Sequence, residues 1–172
     1  MGDVTLLIGG ARSGKSALAV EIGTRHDGDV VFIATAEPFD DDMRSRIARH
    51  RTDRPDWPVV DAPLDLGGAI VAAPSEALLI VDCLTVWVNN ELHHNGAVDA
   101  GGVATALGER TGPSVVITNE VGLGVHPETE LGRTYRDELG RVNQAVAAVA
   151  TKTLLLVAGR ALRLGDPWKE LS

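Results

Sequence analysis

The sequence predicts an α/β fold in which a mostly parallel sheet is covered by helices on both faces. Three observations lead to this prediction. Short apolar runs rich in β-branched residues recur along the chain, as expected of strands that are buried on both sides. Longer segments of mixed polarity, typical of helices, separate these runs. A glycine-rich loop follows the first run directly, as in a strand–loop–helix unit.

Each predicted element follows from its local sequence. The apolar runs are predicted to be buried strands joined by right-handed crossovers. A helix is predicted to begin at residues 40–42, because these aspartates precede a basic stretch in the order that the helix dipole favours. A long helix is predicted over residues 130–150, which end in a face of alanine and valine. The predicted strands cover residues 4–8, 30–34, 77–81, 114–118 and 153–158.

Composition favours a single domain, residues 1–172, and limits what it binds. The chain has 16 Lys and Arg against 24 Asp and Glu, a net charge of −8. This charge argues against bulk binding of nucleic acid or anionic lipid, so an anionic ligand needs a local basic cluster. The single cysteine, Cys83, fits a reducing compartment. Since no targeting segment or membrane-spanning run is visible, we expect a cytoplasmic protein that neither binds nucleic acid nor inserts into a membrane.

The glycine-rich loop has the spacing of a phosphate-binding loop, G-x-x-x-x-G-K-S. Its glycines allow the backbone N–H groups to surround a phosphate, and the following helix adds its positive N-terminus. Lys15 is expected to reach the β- and γ-phosphates, and Ser16 to bind Mg²⁺. The alternative is a chance glycine-rich turn, which the position between a strand and a helix disfavours. The loop comprises Gly9, Gly10, Ala11, Arg12, Ser13, Gly14, Lys15 and Ser16.

Asp82 ends the third apolar run, at the place where folds of this kind carry a second acidic element. A carboxylate at a strand end holds the metal through Ser16 or water. The alternative is an aspartate that only caps the segment beginning at Cys83. The phosphate-binding loop favours the metal site.

A basic cluster surrounds His50 in an otherwise acidic chain. Five of the 16 basic residues fall within eleven positions. Two interpretations stay open on spacing alone: a solvated helix face that balances the aspartates, or an anion-binding helix in which Arg51 and Arg54 grip phosphates and His50 faces them. The five residues are Arg44, Arg46, Arg49, Arg51 and Arg54.

Several motifs, in order along nearly the whole chain, resemble the bifunctional adenosylcobinamide kinase / adenosylcobinamide-phosphate guanylyltransferase family of cobalamin biosynthesis. The resemblance runs from the first strand to about Ala158. The motifs that carry it are GGARSGKS at residues 9–16 and the segments 33–36, 41–47, 50–55, 118–127 and 135–144.

The resemblance implies a RecA-like P-loop fold and two reactions. The first phosphorylates adenosylcobinamide with ATP or GTP, and the second transfers GMP from GTP to adenosylcobinamide phosphate through a phosphoramidate on His50. Mg²⁺ is expected with the nucleotides, no organic prosthetic group is expected, and a homotrimer is implied. Besides the loop, the implied nucleotide contacts are Thr35, Ala36, Glu37, Arg51, Thr52, Asp53, Arg54, Asp61 and Asp82.

Two other functions fit part of the sequence. A different small-molecule P-loop kinase accounts for the loop and Asp82 but leaves His50 as a surface residue. A GTP-dependent switch is disfavoured, because the fourth strand ends in Thr118-Asn119-Glu120-Val121 rather than in a guanine-reading Asn-Lys-x-Asp run. Residues 94–112 match no motif and are expected to be a surface connection rather than a wall of the corrinoid site. The remaining histidines are expected to be solvated: His26, His93, His94 and His126.

Overall fold

The computed structural model describes residues 2–37 and 54–171. The helix predicted to begin at residues 40–42 lies outside these ranges. None of the described helices combines the length and the apolar character that a bilayer crossing requires.

The described residues form seven strands in one sheet, in the order β3-β2-β4-β5-β1-β6-β7. All neighbours are parallel except the antiparallel pair β6 and β7. The five predicted strands are confirmed as β1, β2, β4, β5 and β6, but the prediction that all are buried was wrong for β6, in which only Leu156 is buried. The strands are β1 (Val4–Gly9), β2 (Val30–Ala34), β3 (Val59–Asp61), β4 (Leu78–Asp82), β5 (Ser114–Asn119), β6 (Lys152–Val157) and β7 (Arg160–Leu164).

Helices cover both faces of this sheet, as predicted. Successive strand residues point to opposite faces, so Leu6 of β1 joins one buried cluster and Leu7 joins the other. The first helix packs on the face of Leu7, and the next four pack on the face of Leu6. The described helices are α1 (Lys15–Thr24), α2 (Leu66–Ala72), α3 (Leu84–His94), α4 (Ala100–Glu109), α5 (Glu130–Val149) and α6 (Pro167–Glu170).

The segment 94–112 is not the surface connection that was expected. It contains α4, whose residues Val103, Ala106 and Leu107 are buried against α5 and α2. The buried guanidinium of Arg110 then donates to backbone carbonyl oxygens around the end of α2, including that of Ala77 at 2.7 Å. The prediction was wrong because the helix consists mostly of alanine and glycine, so its few larger apolar side chains do not show a clear helical repeat in the sequence.

Candidate functional site

The carboxyl ends of the strands bring the predicted functional residues to one edge of the sheet. Ala34 of β2 lies in register with Asp61 of β3 on one side and with Asp82 of β4 on the other. Gly9 at the end of β1 is in register with Asn119 at the end of β5. Because neighbouring strands are about 4.8 Å apart, the backbones of Asp61 and Asp82 are about 10 Å apart across β2. Ligands of open parallel sheets bind at this edge.

The glycine-rich loop connects β1 to α1, as predicted, and its geometry requires glycine at two positions. A Cβ atom on Gly9 would lie 2.3 Å from the carbonyl oxygen of Leu156. Gly14 has a φ of 102°, which side chains rarely adopt. By contrast, a Cβ atom on Gly10 would meet nothing within 4 Å. The loop therefore packs closely on β6 and is open on its outer side.

The ammonium of Lys15 is buried inside this loop. It donates to the carbonyl oxygens of Gly9 at 2.9 Å and Gly10 at 2.7 Å and to the hydroxyl of Ser13 at 3.3 Å. Burial lowers the pKa of Lys15 below its ordinary value, and the nearby Cys83 and Asp82 oppose this shift. The arrangement places a cation beside the Asp82 end of β4.

The turn between β6 and β7 holds the loop from the other side. The Gly159 N–H donates to the Ser13 carbonyl oxygen at 2.9 Å. Ala158 and Gly159 both have positive φ, 50° and 71°, as the two central residues of a type I′ hairpin turn require. The C-terminal hairpin thus contributes a direct backbone contact to the phosphate-binding loop.

Thr35 ties the end of β2 to the end of β4. It is fully buried, and its hydroxyl lies 3.2 Å from the Asp82 carbonyl oxygen and 2.9 Å from that of Cys83. The same hydroxyl accepts the Cys83 N–H at 2.9 Å. Burial raises the pKa of the Cys83 thiol to about 11, so it stays protonated near neutral pH. Since the helix α3 has Cys83 as its N-cap residue, Asp82 is not the cap.

Five further predicted residues lie within the described part of the chain. Ser16 is the second residue of α1, and Asp61 is exposed at the end of β3. Glu37, after the half-buried Ala36, lies 3.0 Å from His94 at the end of α3. Arg54 stacks over the Phe32 ring, with its guanidinium carbon 4.0 Å from the ring centroid. The remaining predicted contacts, His50, Arg51, Thr52 and Asp53, lie outside the described residues.

Sequence reasoning assigned no role to Asn143, which the structure places behind the site. Its side-chain amide is buried. The amide oxygen accepts a hydrogen bond from the Thr118 hydroxyl at 2.7 Å, and the amide nitrogen donates one to the Asn119 carbonyl oxygen at 3.0 Å. The Asn119 N–H in turn donates to the Thr85 hydroxyl on α3. Tyr135 donates to the Thr85 carbonyl oxygen at 3.2 Å. Asn143 and Tyr135 lie in the 135–144 motif, and this motif was the one feature of the sequence that could have indicated their role.

Comparison with known proteins gives a match over most of the chain. Residues 5–164 match the model of the family described as cobinamide kinase / cobinamide phosphate guanyltransferase. The bifunctional adenosylcobalamin biosynthesis protein CobP of Pseudomonas aeruginosa is 40% identical over 169 residues, which cover 94% of this chain and 98% of the relative. The corresponding CobU proteins of Escherichia coli and Salmonella typhimurium are each 36% identical over 179 residues. In both cases the match covers 92% of this chain and 98% of the relative.

Two solved structures share the fold at low sequence identity. An ATPase from the type III secretion system of pathogenic bacteria is 12% identical with a TM-score of 0.55, and the match covers 91% of this chain but 51% of that chain. A Pyrococcus horikoshii protein is 9% identical with a TM-score of 0.55, and the match covers 96% of this chain and 89% of that chain. The loop, the strand order and these neighbours together identify a RecA-like P-loop NTPase fold.

Proposed function

This chain belongs to the cobinamide kinase / cobinamide phosphate guanyltransferase family, and we propose that the edge carrying its phosphate-binding loop performs both of the reactions in that description. The enzyme acts in cobalamin biosynthesis, phosphorylating cobinamide and then guanylylating cobinamide phosphate. Family membership supports the pair of activities. One observation supports the location: the buried Lys15 ammonium lies inside the loop, beside the Asp82 end of β4.

In the kinase step, the aminopropanol hydroxyl of adenosylcobinamide attacks the γ-phosphorus of ATP or GTP. The bond from that phosphorus to the bridging oxygen breaks, the nucleoside diphosphate leaves, and the hydroxyl proton goes to solvent. Catalysis of this step consists mainly of positioning and of stabilising charge. The outward-facing backbone of the loop and the Lys15 ammonium supply both functions.

Mg²⁺ is proposed to accompany the nucleotide. Ser16 and Asp82 offer hydroxyl and carboxylate oxygens, the ligands that Mg²⁺ prefers, and it commonly takes one or two protein ligands besides phosphates and water. The residues present therefore fit this ion. When bound, it neutralises charge on the phosphates during transfer.

In the guanylyl step, we propose that His50 is the nucleophile. An imidazole nitrogen attacks the α-phosphorus of GTP, the bond to the bridging oxygen breaks, and pyrophosphate leaves. A phosphate oxygen of adenosylcobinamide phosphate then attacks the same phosphorus, the P–N bond breaks, and His50 is regenerated. A neutral first nucleophile avoids bringing two polyanions together in one step.

One domain is proposed to carry both reactions within a cytoplasmic homotrimer. The C-terminal hairpin supports the oligomer, since Leu162 and Leu164 are exposed on one face of β7 and pair with Leu155 and Thr153 of β6. Val157 is 62% exposed on the same face. Such a face, which is apolar apart from Arg160 opposite Val157, favours contact with a second copy of the chain.

The test uses GTP labelled in turn at the α- and γ-phosphate. The wild-type protein is expected to retain an acid-labile α-label, which His50→Asn loses while still phosphorylating cobinamide. His93→Asn, a change of the same type on α3, serves as the matched control and should retain the label. If wild-type protein phosphorylates cobinamide but retains no α-label, the His50 intermediate is wrong and a simple kinase is favoured.

A further inference from the structure

A cavity of about 600 Å³ opens between α2, α3 and α4. We call it the acidic cavity and define it by six of its lining residues. Four are carboxylates and two are apolar. Trp87 is almost fully buried, whereas Val71 is exposed at the rim. The six residues are Asp65, Val71, Trp87, Glu91, Asp99 and Glu109.

The negative charge of the acidic cavity is not compensated by the described residues that line it, among which there is no Lys, Arg or His. Glu91 is only 9% exposed, and its carboxylate accepts one hydrogen bond, from the neutral side-chain amide of Asn95 at 2.7 Å. The side-chain carboxylates of Asp65 and Asp99 each accept one hydrogen bond from a backbone N–H, at 2.9 Å. A buried carboxylate normally has a cation or several donors beside it. The acidic cavity therefore suits a ligand that brings positive charge or N–H donors.

The acidic cavity shares lining residues with a second hollow that reaches the nucleotide edge of the sheet. Asp65 and Leu64 also line a second hollow of about 400 Å³ that extends to Asp61. The Trp87 indole donates to the Leu64 carbonyl oxygen at 2.7 Å. Glu91 lies seven residues beyond Leu84, the first residue of α3, which is about 10 Å along the helix. A large substrate bound in the acidic cavity could therefore also reach the Asp82 end of β4.

We propose that the acidic cavity receives the amide-bearing rim of the corrinoid substrate. This inference rests on the proposed function and adds the location of its corrinoid site. An alkylcobalt(III) corrinoid is cationic, and its rim carries primary amides whose N–H groups are donors. Both properties complement Glu91 and the free oxygens of Asp65 and Asp99. The apolar edge of the macrocycle packs against Val71 and the small residues of α2 and α4.

Gly67 and Gly101 provide a matched pair of substitutions. A larger side chain at Gly67 fills the cavity, whereas one at Gly101, the control, does not. Gly67 is the second residue of α2, lines the cavity, and would place a Cβ atom 4.0 Å from the Gly102 backbone. Gly101 is the second residue of α4 and exposed, and its Cβ atom would meet only Asp99 within 4 Å. Leucine is a better helix former than glycine, so both variants are expected to fold.

Gly67→Leu is expected to raise KM for adenosylcobinamide at least tenfold, while KM for GTP and α-label uptake by the protein stay unchanged. Gly101→Leu is expected to match the wild type in all three measurements. Glu91→Gln keeps the side chain's shape and its ability to accept from Asn95, and is expected to raise the corrinoid KM several-fold with little change in kcat.

Different results would overturn the cavity assignment and the proposed function. Wild-type protein that turns over the corrinoid, with an unaltered KM in both Gly67→Leu and Glu91→Gln, overturns the cavity assignment alone. Wild-type protein that neither phosphorylates nor guanylylates the corrinoid overturns the proposed function, and this assignment with it.

Discussion

The Lys15 ammonium donates to the Gly9 carbonyl oxygen at 2.9 Å, so the residue expected to bind phosphate is bonded to its own loop. Gly10 and Ser13 accept its other two bonds. The same Gly9 oxygen lies 3.2 Å from the Glu120 N–H, which links the loop to the end of β5. An ammonium has three donors. A phosphate that binds Lys15 must therefore replace at least one of these bonds or share its proton.

Lys15→Met is expected to weaken nucleotide binding by about 10- to 150-fold, the effect of losing a charged hydrogen bond of about 1.5–3 kcal/mol. Calorimetric titration with GTP measures this loss. Wild-type affinity in the variant would show that Lys15 does not bind the phosphates.

Gly159→Ala is expected to weaken nucleotide binding as well as stability. Gly159 has a φ of 71° and its N–H holds Ser13 of the loop, yet an added Cβ atom would meet nothing within 4 Å. The change therefore strains only the backbone, at about 1 kcal/mol, or a melting temperature lower by about 2–4 °C.

Gly96→Ala is the matched control, because Gly96 has a φ of 69°, equally open surroundings and no contact with the loop. Both variants should lose similar stability, but only Gly159→Ala should raise the GTP Kd. Equal GTP affinities in the two variants would contradict a role of the hairpin in holding the loop.

Much of this arrangement followed from local sequence, and the exceptions have physical reasons. Buried strands such as β4 are apolar on both faces, so their continuous apolar runs predicted them. The strand β3 has three exposed residues after two prolines, and β7 is exposed along its whole length, so neither shows a buried pattern. The phosphate-binding loop was predictable because its chemistry is local. The contacts of Asn143 were not, since their partners lie 24 and 25 residues away in sequence.

Asn143→Leu is expected to lower the free energy of unfolding by about 2–4 kcal/mol, because it leaves the buried Thr118 hydroxyl and the Asn119 carbonyl without their partner. The double variant Thr118→Val/Asn143→Leu should be less destabilised than the sum of the single changes, since removing both partners is cheaper than removing one. Denaturant unfolding of the four proteins measures this difference. Strictly additive effects would show that the Thr118–Asn143 bond does not stabilise the fold.

Leu162→Glu is expected to dissociate the proposed homotrimer. Leu162 is 62% exposed on the apolar face of the C-terminal hairpin, where a charge cannot be buried without a partner. Leu131→Glu, at a residue that is 71% exposed on α5, is the control. Sedimentation equilibrium should give a lower mass for Leu162→Glu alone. A wild-type protein that sediments as a monomer would contradict the trimer itself.

Tyr135 offers a direct optical test of the packing behind the site, because it is the single tyrosine of the chain. Burial raises its pKa from 10.0 to about 12, with Cys83 adding to the shift. Tyrosinate absorbance of the folded protein should therefore appear well above pH 10. Between these two pKa values the unfolded state binds fewer protons than the folded state, so the free energy of unfolding falls as pH rises.

Tyr135→Phe removes the titration and should make that fall with pH shallower, though not absent. The buried Cys83 thiol, with its pKa raised from 9.0 to about 11, has the same sign of effect and remains in the variant. Circular dichroism at each pH separates titration of the folded state from unfolding. A folded protein whose tyrosinate signal appears near pH 10 would mean that Tyr135 is solvated, and its hydrogen bond to Thr85 would then not hold α3 against α5.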